Sequence, residues 1–203
     1  MATSDNTNAG IIIASKLFRA LLLLLTCCLN WPAQATDHYQ IDPLHTFSSF
    51  EYMHWGLSTQ RGRFDKSTGS IDLDLDGKAG NITIEIDADS VSTGSELFNK
   101  IMRSDSFFDA DQFQKIVFNS TKMIFEEDRL ARIEGNLTIK DITRPVVIEV
   151  THFNCRFMFL YLKSACGANG YTTILRSDFD MGRYAPFVSD EVTLYFSVEA
   201  IRD

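Results

Sequence analysis

The side chains best suited to chemistry in this chain are its four histidines, four cysteines and a few arginines placed beside acidic residues. His38, His45, His54 and His152 are scattered; His152 stands three residues before Cys155, but no third or fourth ligand joins them at short spacing. A zinc site needs three or four ligands converging in space, so no metal site is assigned. The chain holds no Gly-x-Ser-x-Gly elbow, phosphate-binding glycine loop or His-Glu-x-x-His pair. Nucleophilic catalysis needs a base touching an activated hydroxyl or thiol; nothing local supports one, and no catalytic residue is assigned. Arg103, Arg176 and Arg183 stand in "MRSDSFF", "RSDF" and "MGRY". The plain reading of each is an ion pair with a local Asp. The functional reading is a cation facing a phosphate head group.

The cysteines depend on the compartment, and the first 35 residues bear on that. Lys16 and Arg19 precede the apolar run "ALLLLLTCCL"; Pro32 follows, and "AQA" ends at Ala35. A positive start, a short apolar run and an A-x-A site read as a secretory signal peptide over residues 1–35. The run is shorter than the ~20 apolar residues that span a bilayer. Thr26 precedes Cys27 where a lipoprotein site would want Gly or Ala. Residues 36–203 then form one domain. In an oxidising compartment Cys155 and Cys166 can close a small loop around "RFMFLYLKSA". Two free thiols or a metal pair are the alternatives; the disulfide is favoured, at about 2–3 kcal/mol on a chain-entropy basis. The formal charge of −8 repels phosphate backbones and sets nucleic acid aside as a partner.

Period-two patterning dominates the rest. "GSIDLDLDG", "NITIEIDA" and "EVTLYFSVEAI" each alternate apolar and polar residues, the mark of antiparallel strands with one buried face. The runs predict strands near 38–42, 45–55, 61–75, 81–87, 115–125, 130–139, 145–160, 171–180 and 190–202. Pro145 would open its strand, where no ladder donor is lost. "STGSELFNKIMRSDSFFDADQFQ" changes period and predicts a short helix over about 95–103, with Ser95 or Thr93 as cap and Glu96 in the first turn. So many antiparallel strands with one helix suggest a barrel or a sandwich, and closure favours the barrel. An eight-stranded barrel is either filled by its side chains or holds one slender ligand. His45 reads as a structural hydrogen-bonder after Pro43. His54 shares the parity of Phe50 and Tyr52, so it is either a core histidine or a polar contact for a lipid head. Sixteen phenylalanines would fill a core or line a tunnel. The candidate lining is Phe50, Tyr52, His54, Phe107, Phe108, Phe118, Phe179, Leu194 and Phe196.

Four stretches together resemble the YceI-like family: "YQIDPLHTFSSFEYMHWGLSTQRGRF" at 39–64, "STGSELFNKIMRSDSFFDADQFQKIVFNST" at 92–121, "GNLTIKDITRPVVIEV" at 135–150 and "RSDFDMGRYAPFVSDEVTLYFSVEA" at 176–200. The resemblance implies an all-β protein: an extended antiparallel eight-stranded lipocalin-like barrel with a short helix near one end. It also implies a periplasmic protein without a required cofactor that holds a polyisoprenoid, of prenyl phosphate or quinone type, or another long-chain lipid. Transient contact with a membrane surface or membrane protein, and a homodimer, stay open. Two alternatives are an enzyme acting on a small amphiphile and a partner-binding module of an envelope stress or redox system with a filled barrel. Two stretches depart from the family pattern: "NKIMRS", with Asn99 and Lys100, and the apolar "CRFMFLYLKSAC".

Overall fold

A computed structural model describes residues 36–203; the expected leader, 1–35, lies outside the described residues. The alternating runs become strands of one antiparallel sheet: β1 Asp37–Ile41, β2 Phe47–His54, β3 Ser58–Phe64, β4 Ser67–Asp74, β5 Ala79–Asp87, β6 Val91–Ser92, β7 Lys115–Glu126, β8 Arg129–Ile139, β9 Ile142–Met158, β10 Lys163–Leu175 and β11 Val188–Arg202. The single α-helix among the described residues, α1, is Glu96–Arg103.

The sheet closes because β1 pairs with both β4 and β11. β1 and β2 are two halves of one stave: Tyr39 faces Arg202 at the end of β11, and Phe50 faces Leu194 nearer its start. β3 and β4 are likewise halves of the next stave, since β3 pairs with β2 and β4 with β1. Taken this way the wall has eight staves. The break between β1 and β2 is built by Asp42-Pro43-Leu44-His45. Asp42 Oδ1 accepts from the Leu44 N–H at 2.9 Å, and its Oδ2 pairs with His45 Nδ1 at 2.7 Å. His45 is thus the hydrogen-bonder expected of it.

Inward residues of successive staves form the core, among them Ile84, Ile116, Phe118, Ile133, Leu137, Ile148 and Val150. Two glycines make room for aromatic rings crossing from the neighbouring strand. A Cβ on Gly62 would lie 2.4 Å from Phe50 Cζ, and one on Gly135 would lie 2.5 Å from Phe118 Cζ. At the end where β1 starts and β11 finishes, Tyr39, Leu73, Met123, Leu130 and Ile133 pack around a void of only about 40 Å³. That end is filled.

The structure corrects several boundaries. The expected strand at 61–75 is two strands, broken at Asp65–Lys66. The strand expected at 171–180 starts earlier, at Lys163, and stops at Leu175, where a 3-10 turn over Arg176–Phe179 takes over. Pro145 does not open its strand, because β9 begins at Ile142. It is tolerated because β9 has only β8 beside it there; pairing with β10 begins at Glu149, opposite Tyr171. Cys155 and Cys166 face each other across β9 and β10 and are joined, so the bracketed segment is a stapled hairpin. At α1, Ser95 holds the N-cap position but its hydroxyl makes no capping bond. The helix start is tied instead by Asn99, whose Oδ1 accepts from the Thr93 N–H at 2.7 Å and from its hydroxyl at 2.8 Å.

Candidate functional site

The other half of the barrel is hollow. A cavity of about 540 Å³ opens between the β2–β3 turn, α1 and the 182–188 segment. Strand parity places its lining. On β2, Phe50 and Tyr52 point inward, with His54 at the rim; β11 answers with Leu194 opposite Phe50, Val192 opposite Tyr52 and Val188 opposite His54. Phe196 extends the row. Ile86, Ile116, Leu137, Ile139 and Ile174 form the rest of the wall.

The segment from α1 to Phe108 makes the cover. Phe98, Ile101 and Met102 lie three and four positions apart on the helix, so one face meets the cavity. Leu97, a candidate for that face by spacing, is instead 67% exposed. Phe107 and Phe108 are buried. Phe108 seats its ring 5.2 Å from Phe64 and 6.4 Å from Phe50, which fixes the cover to the β2–β3 wall. Across the mouth, Trp55 stacks on Phe187 at 4.6 Å, and the Trp55 backbone N–H donates to the Phe187 carbonyl at 2.7 Å.

Seven of the nine proposed lining residues therefore meet here: Phe50, Tyr52, His54, Phe107, Phe108, Leu194 and Phe196. Phe118 and Phe179 do not. Phe118 points inward but sits deeper, in the packed core beneath Gly135. Phe179 is 1% exposed within the 3-10 turn and borders a separate outer groove beside Pro145. Trp55, Phe98, Ile101, Met102, Tyr184 and Phe187 are lining residues that sequence reasoning missed. For Phe98, Ile101 and Met102 the helical spacing was a usable signal; the Trp55–Phe187 stack joins two loops and had none.

The three arginines part company. Arg103 lies outside the cavity, donating from Nε to the Asp89 carbonyl at 2.9 Å and paired with Asp89 and Glu96. Arg176 lines the cavity, yet it is buried and its guanidinium is spent on backbone. Nε donates to Ser189 O at 2.9 Å, Nη1 to Met181 O at 2.6 Å and Arg183 O at 3.3 Å, and Nη2 to Val188 O at 3.0 Å. Burial lowers its pKa from the ordinary arginine value, with Asp190 and Tyr52 opposing the shift; arginine remains a cation at neutral pH. Arg183 is exposed at the mouth, donates to the Ser106 hydroxyl and lies 5.0 Å over the Tyr184 ring. Burial raises the Tyr52 pKa, against a weaker pull from Arg176, so its phenol stays protonated at neutral pH. Among the described residues neither the Tyr52 hydroxyl nor the His54 ring has a hydrogen-bond partner, and no group of three or more His, Cys, Asp or Glu could hold a metal. Chemically, this is an apolar pocket with a few polar groups at its opening.

A family profile described as the YceI-like domain matches residues 39–200. A UPF0312 protein of Ectopseudomonas mendocina is 30% identical over 186 residues, which are 90% of this chain and 96% of that one. A UPF0312 protein of Pseudomonas aeruginosa is 31% identical over 199 residues, 97% of each chain. Among solved structures, Burkholderia cenocepacia BcnA superposes with a TM-score of 0.67 at 22% identity, covering 78% of this chain and 98% of that one. A polyisoprenoid binding domain from Saccharophagus degradans, implicated in plant cell wall breakdown, gives a TM-score of 0.62 at 17% identity, covering 81% and 98%. At those identities the solved structures share the fold.

Proposed function

Because this chain belongs to the YceI-like family, we propose that its cavity binds one long apolar chain of isoprenoid type, tail inward and head group at the mouth, and that the protein is a carrier for it. The observation that carries this reading is the hollow: about 540 Å³, lined mainly by aliphatic and aromatic side chains and open at one end. A barrel serving only as an interaction module would have filled that space with its own side chains. At about 30 Å³ per water-sized group, the cavity seats on the order of 18 carbon-sized groups, between three and four isoprene units. Apolar burial at about 25 cal/mol per Å² drives such binding without a strong polar anchor. The ligand class is further supported by the solved domain of the same fold described as polyisoprenoid-binding.

Tyr52, His54 and Arg183 stand where the head group would emerge. A phenol donor and one exposed cation suit the oxygens of a quinone or of a prenyl phosphate. The expected signal peptide and the Cys155–Cys166 disulfide support a periplasmic site of action. The test is uptake of a C20 prenol by solvent-stripped protein, read by Trp55 emission, with Trp55→Phe as the control for other signal. Leu194→Phe narrows the cavity without adding a second tryptophan and should cut uptake at least tenfold while the fold persists, on the order of the tenfold per 1.4 kcal/mol of lost binding. Undiminished uptake by that variant would place the ligand elsewhere.

A further inference from the structure

The β9–β10 hairpin runs past the barrel wall. β9 has its last β8 partner at Glu149, opposite Arg132, and β10 has its first β11 partner at Ala165, opposite Ile201. Beyond these, Phe157 to Ser164 pair only with one another. At about 3.3 Å per residue the tip stands about 10 Å clear of the rim. Its side chains are apolar and exposed: Phe159 83%, Leu160 82%, Leu162 75%, Phe157 50% and Tyr161 45%. A half-buried strand would alternate; here six consecutive residues, Phe157–Leu162, are apolar on every side of the turn. Arg156 and Lys163 flank them, in a chain whose net charge is −8. The Cys155–Cys166 disulfide staples the base.

We propose that this hairpin is an anchor for an anionic membrane surface: the Phe157–Leu162 tip enters the boundary between head groups and acyl chains, and Arg156 and Lys163 sit at the phosphates. Three observations favour a bilayer over a second copy or another protein. The exposed tip offers roughly 600 Å² on side-chain areas of 150–250 Å² per aromatic, short of the ~800 Å² per partner of a stable protein interface. A convex tip that is apolar all round matches a fluid medium, which needs no shaped groove. Its reach matches the ~5–10 Å to which interfacial elements bury themselves, with the basic pair placed to meet anionic lipid. The staple holds the tip in shape before contact, so little ordering is left to offset binding. The hairpin lies beside the end of β11, whereas the cavity mouth lies at its start, by Val188. An anchored molecule therefore points its mouth away from that bilayer. The anchor works in the same way whatever the cavity holds.

The test is co-sedimentation of the purified protein with vesicles of equal parts phosphatidylethanolamine and phosphatidylglycerol, and with phosphatidylcholine vesicles. Wild type should sediment with the anionic vesicles. Phe159→Ser with Leu160→Ser should lower partitioning more than about tenfold, as expected for two lost apolar side chains, with an unchanged circular dichroism spectrum. Arg156→Gln with Lys163→Gln should abolish the preference for anionic lipid. Leu57→Ser, an equally exposed leucine at the mouth end (84%), should change nothing. Absence of sedimentation, equal sedimentation by wild type and the tip variant, or loss caused by Leu57→Ser alone would overturn the proposal. So would tip-dependent self-association without vesicle binding, which would assign the tip to a second copy.

Discussion

Replacing Arg176 by Met keeps most of the buried stem but deletes the donors that hold the 181–189 segment. The guanidinium serves four carbonyls, those of Met181, Arg183, Val188 and Ser189. Bonds from a charged donor contribute about 1.5–3 kcal/mol each, but they do not simply add. The contact to Arg183 O is long at 3.3 Å, the Arg183 and Val188 carbonyls can regain water, and the buried cation itself costs several kcal/mol in desolvation. The net loss expected is about 2–4 kcal/mol, since the charge leaves with the side chain and the cost is that of stranding the Met181 and Ser189 carbonyls at about 1–3 kcal/mol each, less the relieved desolvation. Urea unfolding should show a lower midpoint with an unchanged slope. A second readout is Trp55, which leans on Phe187 within the same segment; its emission should shift to the red as the stack loosens. Arg176→Lys should fail in the same direction, because one ammonium cannot reproduce the planar fork. A loss below about 1 kcal/mol with unchanged Trp55 emission would refute this reasoning and return Arg176 to the role of a head-group cation.

Gly135→Ala should destabilise by about 1–3 kcal/mol, since the new Cβ meets both the Phe118 ring and, at 2.6 Å, the Asn119 carbonyl; chemical denaturation measures it, and a neutral result would show that the ring and the β7 backbone both give way at little cost. The Asp42–His45 pair carries a pH signature: its hydrogen bond raises the His45 pKa above 6.5, and Asp42 lies below 3.8 through the His45 and Leu44 bonds. The His45 contribution is fully present below 6.5 and lost as pH rises through its raised value, while the Asp42 contribution is present above 3.8 and lost as pH falls through its lowered one. In an NMR titration His45 should therefore titrate late, and Asp42→Asn should bring it back towards 6.5. Replacing Cys155 and Cys166 by Ser should cost about 2–3 kcal/mol in thermal or urea unfolding, with the cavity residues unmoved because the hairpin lies at the opposite end.

The staves are legible in the sequence because alternation survives wherever one face is wet, as in Ile82, Ile84 and Ile86. The same alternation groups Phe50 with Tyr52 and Leu194 with Phe196 on one face of each strand, and the β2–β11 register brings the two pairs together inside. Parity says which face, not how deep: Phe118 obeys it and still falls below the cavity, since depth is set by register and by room over Gly135. The start of β10 is hidden because "SACGANG" is small and weakly patterned, and its strand is held by pairing with β9 and β11. Phe179 looks like a strand residue but belongs to a 3-10 turn. Arg176 beside Asp178 suggests a local ion pair, whereas its partners are carbonyls brought back by the 181–189 segment, a tertiary arrangement no local motif encodes.

Whether the hollow half of the barrel carries an isoprenoid-type chain is tested most directly by mass spectrometry of the protein purified without detergent, under native conditions and then after solvent extraction. The predicted result is one long-chain isoprenoid per protein chain, retained in the native state and released on denaturation. A protein that emerges empty and takes up no prenol or prenylquinone after exposure to them would contradict the carrier role.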